Sequence, residues 1–102
     1  MEHLFTYGTL QDNQVQQYIF NRVLEGQSDS LPGFKRVENA VYDRYLLAVK
    51  TNRPEDKVEG KVYKVSLEEL NKADIYETNA YQRVKMILTS GISAWVYVES
   101  LN

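Results

Sequence analysis

The order of short β-type runs along the chain constrains its fold more than any other feature. Six such runs, rich in apolar and β-branched residues, lie at residues 4–7, 34–37, 46–49, 58–65, 83–89 and 92–99. The last two follow one another without a helix between them, which is atypical of the regular alternation in a doubly wound sheet. The pattern therefore predicts the α+β class, with a small mixed β-barrel of about six strands and two main helices.

Two stretches of the sequence carry helix signals. The first covers Asn13 to about Asn21, with Asp12 or Asn13 as its N-cap. The second begins after Ser66, because Glu69 three residues later completes a capping box. The positions predicted to face inward are Val15, Tyr18 and Ile19 in the first helix, and Leu67, Leu70 and Ala73 or Asp74 in the second.

Polar and glycine-containing segments separate these elements. Residues 26–33 are rich in Gln, Ser, Asp, Pro and Gly, and residues 51–57 show no apolar period, so both are predicted to be loops. Gly60 lies inside a predicted strand, which indicates a bulge or a close backbone approach. Ser90-Gly91 suits a two-residue hairpin turn between the last two strands.

Composition excludes several classes of function. With 102 residues, 43% of them hydrophobic, the chain suits one domain over residues 1–102. It contains no cysteine and one histidine, which excludes disulfides, a thiol nucleophile and zinc sites built from Cys or several His, so no metal site is expected. A net charge of −2 provides no basic field for nucleic acid or anionic lipid. We expect a cytoplasmic protein with a small-molecule partner, no nucleic-acid partner and no membrane association; the oligomeric state is left open.

Glu77 is the carboxylate that helical geometry singles out. It lies seven residues after Leu70, so it returns to the same inward face at the C-terminal end of the second helix. The helix macrodipole and burial both disfavour the ionised form there, which predicts a raised pKa and suits general acid/base chemistry. The alternative is that Glu77 is solvated or pairs with Arg83 or Lys85.

The tetrapeptide Tyr7-Gly8-Thr9-Leu10 is the second candidate site. A glycine after a strand allows successive N–H groups to point into one concavity that holds a carboxylate or an oxyanion. The alternative is an ordinary turn between a strand and a helix. Arg83 could bind a substrate carboxylate, but an ordinary ion pair is the favoured interpretation. Most of the eight tyrosines are expected in the core or the barrel wall, with their hydroxyls at the rim.

Five short motifs occur in one order over nearly the whole chain. They are Tyr7-Gly8-Thr9-Leu10, Leu31-Pro32-Gly33-Phe34, Val58-Glu59-Gly60-Lys61-Val62-Tyr63, Ala73-Asp74-Ile75-Tyr76-Glu77 followed by Tyr81-Gln82-Arg83, and Ala94-Trp95-Val96-Tyr97-Val98. This ordered set resembles the γ-glutamylcyclotransferase-like, or AIG2-like, family. Within that family it is most similar to the small γ-glutamylamine cyclotransferase branch.

The resemblance implies a small mixed α/β barrel with a pocket at the loop that follows the first strand. It implies conversion of a γ-glutamyl amine or γ-glutamyl amino acid to 5-oxoproline and a free amine, without a cofactor. By position it assigns the acid/base role to Glu77, the binding of the γ-glutamyl group to Tyr7, Gly8, Thr9 and Leu10, closure of the pocket to Tyr81, and a nearby aromatic position to Tyr45.

Three positions depart from the family pattern. The usual Leu-Asp pair is Ala73-Asp74, the glycine that often follows the glutamate is Thr78, and the proline often found after the middle tyrosine is Leu46. These changes around Glu77 keep a second class of function open, a non-catalytic binding protein for a γ-glutamyl or amino-acid-like small molecule. A small barrel that stacks nucleic acid on its tyrosines would need a basic groove, which the net charge disfavours.

Overall fold

The computed structural model describes residues 1–41 and 45–99, and the side chains at positions 39–41 and 45 lie outside this description. In the described part of the chain there are seven strands, two α-helices and two 3₁₀ turns. The strands are β1 (Glu2–Thr6), β2 (Gly26–Pro32), β3 (Phe34–Val41), β4 (Tyr45–Lys50), β5 (Lys57–Val65), β6 (Tyr81–Ile87) and β7 (Ser93–Glu99), the helices are α1 (Asn13–Phe20) and α2 (Leu67–Glu77), and the 3₁₀ turns are Thr9–Gln11 and Thr78–Ala80. None of the helices in these residues is long and apolar enough to cross a membrane.

Strand β1 lies at the centre of a mixed five-stranded sheet with the order β2-β5-β1-β7-β6. It pairs antiparallel with β5 and parallel with β7, so that Phe5 lies between Val62 and Val96. Strands β3 and β4 form a separate antiparallel pair. The α+β class with two main helices is confirmed. Within the described residues the barrel is open between the two sheets.

Each face of the large sheet carries its own core. Leu4 packs with Leu70 and Ala73 on the face that the helices cover, and all three are fully buried. Phe5 packs with Val96 and with Ala48 of β4 on the opposite face. Because both faces are covered, β1 and β7 are apolar at successive positions instead of alternating with polar residues.

The prediction of a loop at residues 26–33 is wrong, since strand β2 occupies Gly26–Pro32 and raises the number of strands to seven. It pairs with β5 from Gly26 opposite Tyr63 to Pro32 opposite Lys57. Because β2 is the edge strand of the sheet, much of it faces solvent and it needs few apolar residues. Hydrogen bonds to β5 therefore hold β2 as a strand, although its sequence has no alternating hydrophobic pattern that would predict one.

Gly60 lies where β5 passes close to β1. A Cβ atom at this position would collide with the backbone carbonyl oxygen of Thr6 and with the ring of Phe5. The close backbone approach predicted for this glycine is confirmed. The absence of a side chain allows the two central strands to pair beside the ring of a fully buried phenylalanine.

Helix α1 is capped as predicted but turned differently. The Asp12 carboxylate accepts hydrogen bonds from the amides of Gln14 at 2.8 Å and Val15 at 3.2 Å. Tyr18, predicted to face inward, is 87% exposed. The buried positions are Gln16 and Phe20, and the Gln16 side chain donates to the Leu10 carbonyl at 2.8 Å and accepts from the Leu24 amide at 2.9 Å. Val15 and Ile19 are partly buried against the core, so the prediction fails for Tyr18 alone.

Helix α2 begins with the predicted capping box. The Glu69 amide donates to Ser66 Oγ at 3.0 Å, and the Ser66 amide donates to Glu69 Oε1 at 2.9 Å. Leu70 and Ala73 are fully buried as predicted, whereas Leu67 is 65% exposed. The prediction for Leu67 is wrong because this residue lies about 120° around the helix from Ala73, at the edge of the buried stripe.

Candidate functional site

A cavity of about 440 Å³ lies where β1 ends beside the C-terminal end of α2. It brings together the tetrapeptide of residues 7–10 and two residues that lie about seventy positions later in the sequence, Glu77 and Tyr81. The full lining consists of Phe5, Thr6, Tyr7, Gly8, Thr9, Leu10, Leu46, Tyr76, Glu77, Thr78, Tyr81 and Tyr97. Glu77 is the charged side chain among these lining residues.

A second cavity, of about 510 Å³, has a different character. Its basic residues include His3, Arg22 and Lys64, but the Arg22 guanidinium is held by Glu69 at 2.8 Å. Nor do the described residues contain a group of three or more His, Cys, Asp or Glu that could hold a metal ion. The chemistry that the sequence singled out therefore lies in the first cavity.

The carboxylate of Glu77 lies in the cavity without a partner. In the described part of the chain neither a cation nor a hydrogen-bond donor pairs with it, and burial raises its pKa to about 7. The alternative ion pairs are occupied elsewhere: Arg83 binds Asp74 at 3.0 Å, and Lys85 lies 4.0 Å from Glu2. Burial is the cause of this shift, and the contribution of the helix macrodipole stays a prediction.

The loop after β1 lines the same cavity and contains backbone N–H groups without an acceptor among the described residues. In the 3₁₀ turn the amide of Gln11 donates to the Gly8 carbonyl at 3.1 Å, and that of Asp12 donates to the Thr9 carbonyl at 3.0 Å. Among the described residues the amides of Gly8, Thr9 and Leu10 find no acceptor, as is usual for the first N–H groups of a helical turn. Three consecutive donors are thus available to a ligand.

Gly8 is not required for the chain to turn at this point. Its φ is −131°, and a Cβ atom would make only an ordinary contact of 3.6 Å with Leu46. The turn at Gly8 therefore does not depend on a positive φ. What the glycine does is to leave the backbone beside the cavity uncovered.

Tyr7 anchors the loop to two neighbouring strands. Its hydroxyl donates to the Tyr97 carbonyl at 2.7 Å and accepts from the Ala48 amide at 3.1 Å. Burial raises the pKa of Tyr7 to about 12, so the hydroxyl stays protonated at neutral pH. Tyr7 therefore links the end of β1 to β7 and β4, and these hydrogen bonds fix the position of the loop that begins at Tyr7.

The remaining predicted site residues lie around the mouth and one wall. The Tyr81 hydroxyl donates to the Leu46 carbonyl at 2.6 Å, which links β6 to β4. The hydroxyls of Thr9 and Tyr76 lie 2.8 Å apart and connect the loop to α2. Tyr45 is the first residue of β4, but its side chain lies outside the described residues, so its predicted place near the site stays a prediction.

Sequence reasoning did not identify the hydrogen-bonded group beside Glu77. The Tyr97 hydroxyl donates to Asp74 Oδ1 at 2.7 Å, and Arg83 binds both oxygens of the same carboxylate at 3.0 Å. The Arg83 guanidinium also lies over the Trp95 ring, 4.5 Å from its centroid. The favoured interpretation of Arg83 as an ion-pair residue is confirmed. The spacing of Asp74 and Glu77, one helical turn apart, was the signal that could have drawn attention to Asp74.

Thr78 follows Glu77 in an unusual backbone conformation. Its φ is 64° and its ψ is −169°, a region that residues other than glycine rarely adopt. This is the position where the family often has glycine, so the departure noted in the sequence coincides with a strained residue in the wall of the cavity.

Replacing Thr78 with glycine is expected to increase the free energy of unfolding by about 1 kcal/mol, because relief of strain outweighs the entropy cost of glycine. Urea unfolding followed by circular dichroism measures the change. The matched control is Asn21→Gly, since Asn21 at φ 59° lies in the left-handed region that asparagine tolerates and gains less. Equal stability of wild type and the Thr78→Gly protein would show that no strain is stored there.

Comparison with known proteins identifies the family. A family model described as gamma-glutamyl cyclotransferase, AIG2-like, matches residues 4–101 of the chain. The chain belongs to this family. A curated relative, AIG2-like protein D of Arabidopsis thaliana, is 34% identical over 94 residues, which cover 87% of this chain and 59% of that protein. This member of the AIG2-like family therefore spans about three fifths of the length of that relative.

Solved structures show the same fold for the AIG2-like domain. Two Arabidopsis thaliana proteins with solution structures match 96% of the chain, at 29% identity with a TM-score of 0.81 and at 26% identity with a TM-score of 0.78. The chain covers 68% of the first protein and 61% of the second. A crystal structure of an uncharacterized Pyrococcus horikoshii protein matches the whole chain and 80% of its own length, at 19% identity with a TM-score of 0.69. The last comparison supports the fold alone.

Proposed function

We propose that this protein is a γ-glutamyl cyclotransferase that converts a γ-glutamyl amine or γ-glutamyl amino acid to 5-oxoproline and a free amine. The observation that carries the proposal is a cavity lined both by the unpaired carboxylate of Glu77 and by residues 8–10, whose amides have no acceptor among the described residues. Membership of the AIG2-like family supports the same class of reaction.

The proposed reaction is an intramolecular aminolysis. The α-amino nitrogen of the substrate attacks its own γ-carbonyl carbon, and a five-membered lactam ring closes as the bond to the leaving nitrogen breaks. One amide replaces another, so the step requires neither an oxidant nor a metal ion. Because oriented intramolecular reactions reach effective molarities of about 10⁵ M or more, the main tasks of the protein are to fold the substrate and to move protons.

Glu77 is proposed to move the proton twice. Its carboxylate takes a proton from the α-ammonium group, which frees the nitrogen to attack, and its carboxyl group then gives that proton to the leaving nitrogen. The second proton that the attacking nitrogen loses as the lactam forms passes to the released amine, which leaves as an ammonium ion, or to water. A single group performs both steps best when its pKa lies near the working pH. The pKa of Glu77, which burial raises to about 7, meets that condition.

The loop amides are proposed to stabilise negative charge. In the tetrahedral intermediate the γ-carbonyl oxygen becomes an oxyanion, and backbone N–H groups that are already oriented stabilise it without reorganisation. The amides of Gly8, Thr9 and Leu10 have this character, since protein acceptors in the described residues do not compete for them. Tyr7 holds the loop in place, and Tyr81 limits the cavity on the side of β4.

Release of 5-oxoproline from a panel of γ-glutamyl amines and γ-glutamyl dipeptides tests the proposal. We expect catalytic release from at least one member, and the preferred leaving group will define the substrate class. Saturable binding of these compounds without any product over long incubation would contradict it, and would favour the non-catalytic binding protein that the sequence left open.

The pH dependence of turnover is expected to follow the ionisation of the Glu77 carboxyl group. Since the carboxylate form is the base in the first step, kcat/KM is expected to rise about tenfold per pH unit and to level off above a pKa of about 7. Initial rates at low substrate concentration between pH 3.5 and 8.5 measure this profile. A limb with its midpoint near 4.5, the ordinary value for glutamate, would show that Glu77 is not buried in the free enzyme.

A further inference from the structure

The charges in the lining of the cavity are unevenly distributed, and this distribution favours one orientation of a charged substrate. One wall offers the three free amides of residues 8–10, which attract negative charge. Another part of the lining, the Glu77 wall, holds the Glu77 carboxylate at the C-terminal end of α2, where the helix macrodipole places partial negative charge. No Lys, Arg or His is found among the described residues that line the space. The Glu77 wall therefore suits a cationic group.

Tyr97 reaches this cavity from β7 with its hydroxyl proton already committed. The proton is donated to Asp74 Oδ1 at 2.7 Å, one helical turn before Glu77. The carboxylate of Asp74 is held in turn by both arms of the Arg83 guanidinium at 3.0 Å. Burial and the neighbouring Asp74 also raise the pKa of Tyr97, so this hydroxyl stays protonated and keeps donating at neutral pH.

A hydroxyl whose single proton is used has only lone pairs left to offer. Tyr97 can therefore accept a hydrogen bond in the cavity, but it cannot donate one while Asp74 holds its proton. A substrate ammonium group has three donors and no acceptor, so it complements this oxygen and the Glu77 carboxylate together. A hydroxyl free to rotate would satisfy an ammonium and an anion equally well.

We propose that the hydroxyl oxygen of Tyr97 accepts a hydrogen bond from the α-ammonium group of the γ-glutamyl substrate. Asp74, backed by Arg83, is a positioning residue that keeps the hydroxyl pointing away from the substrate. The inference rests on the proposed function and adds a binding residue to it. Tyr97 holds the amino nitrogen beside Glu77, where that nitrogen loses its proton and attacks the γ-carbonyl.

The test compares two ligands that differ only in the amino group. One is L-γ-glutamyl-n-butylamide, and the other is glutaric acid mono-n-butylamide, which lacks the α-amino group. Calorimetric titration of the Glu77→Gln protein, in which the amino compound is not turned over, is expected to show tighter binding of that compound. Adding Tyr97→Phe is expected to weaken binding of the amino compound about tenfold and to leave binding of the deamino compound unchanged. Adding Asp74→Asn instead is expected to reduce the preference in the same direction.

The matched control is Tyr63→Phe, which removes a hydroxyl from the same helix-side core but outside this cavity. It is expected to keep the preference for the amino compound. Equal loss of affinity for both ligands in the Tyr97→Phe protein, or an unchanged preference, would overturn the inference and leave the proposed function standing. Failure of the Glu77→Gln protein to bind either ligand, together with no release of 5-oxoproline by wild type, would overturn both.

Discussion

Replacing Glu77 with glutamine is expected to lower kcat/KM for 5-oxoproline release by about 10²- to 10⁴-fold, the usual contribution of a general acid/base. Glutamine preserves the size and polarity of the side chain but neither takes nor gives a proton. The assay is product release from the preferred γ-glutamyl compound, with binding of that compound measured in parallel. A Glu77→Gln protein that turns over normally would remove Glu77 from the mechanism.

The same substitution is expected to stabilise the fold above neutral pH. The pKa of Glu77 is about 7 in the folded protein and about 4.5 in the unfolded chain, so between these values the folded state binds more protons. Wild-type stability attributable to this group is therefore complete below pH 4.5 and falls as pH rises through 7. Glutamine does not titrate, so the gain is about 3 kcal/mol at pH 8 and vanishes near pH 4.5.

Unfolding by urea at pH 8 and at pH 4.5 measures this gain. The matched control is Glu69→Gln, because Arg22 and the capping box lower the pKa of Glu69 to about 2. Its effect has the opposite sign: the substitution destabilises the protein above pH 4.5, and the difference disappears as pH falls towards 2. A Glu77→Gln protein that is less stable than wild type at pH 8 would contradict the burial of an unpaired carboxylate.

Replacing Gly60 with alanine is expected to destabilise the protein by about 3 kcal/mol, at the upper end of the usual cost of overpacking. The added methyl group meets the Thr6 carbonyl and the Phe5 ring, neither of which has room to move in the centre of the sheet. This is a large share of a typical stability of about 5 to 15 kcal/mol. Thermal unfolding and the urea midpoint measure the loss.

Gly8→Ala is the matched control for this second substitution. Its new methyl group makes an ordinary contact with Leu46, and its φ is negative, so its stability is expected to stay within about 1 kcal/mol of wild type. Similar losses from both glycines would mean that alanine harms this fold for a reason other than the collision in the β1–β5 pair.

Local chemistry made part of the fold readable from the sequence. The capping box of Ser66 and Glu69 and the buried stripe of Leu70 and Ala73 depend on residues within one or two helical turns, and the structure contains both. Strand β2 could not be read in this way. Its polar residues are held by hydrogen bonds to β5, which lies 25 to 37 positions later in the sequence.

The candidate site shows the same division. Helical periodicity was enough to place Glu77 on an inward face, and the carboxylate does line a cavity. Tyr97 and Arg83 could not be placed beside it, because their positions depend on the register of β6 against β7 and on the packing of α2 over both. Likewise, the exposed Tyr18 reflects the side chain of Gln16 bridging Leu10 and Leu24, which no hydrophobic pattern encodes.

The central place of β1 has a consequence for how the molecule is made. Phe5 leaves the ribosome well before its partners Val62 and Val96, which are synthesised later. The loop that β1 carries therefore stays unsupported until β7 is available, and the cavity is among the last parts to close. A topology dominated by such distant pairings folds slowly for its size. A nascent chain that stalls before β7 is synthesised lacks the complete cavity, so it cannot be stabilised by a ligand that binds there.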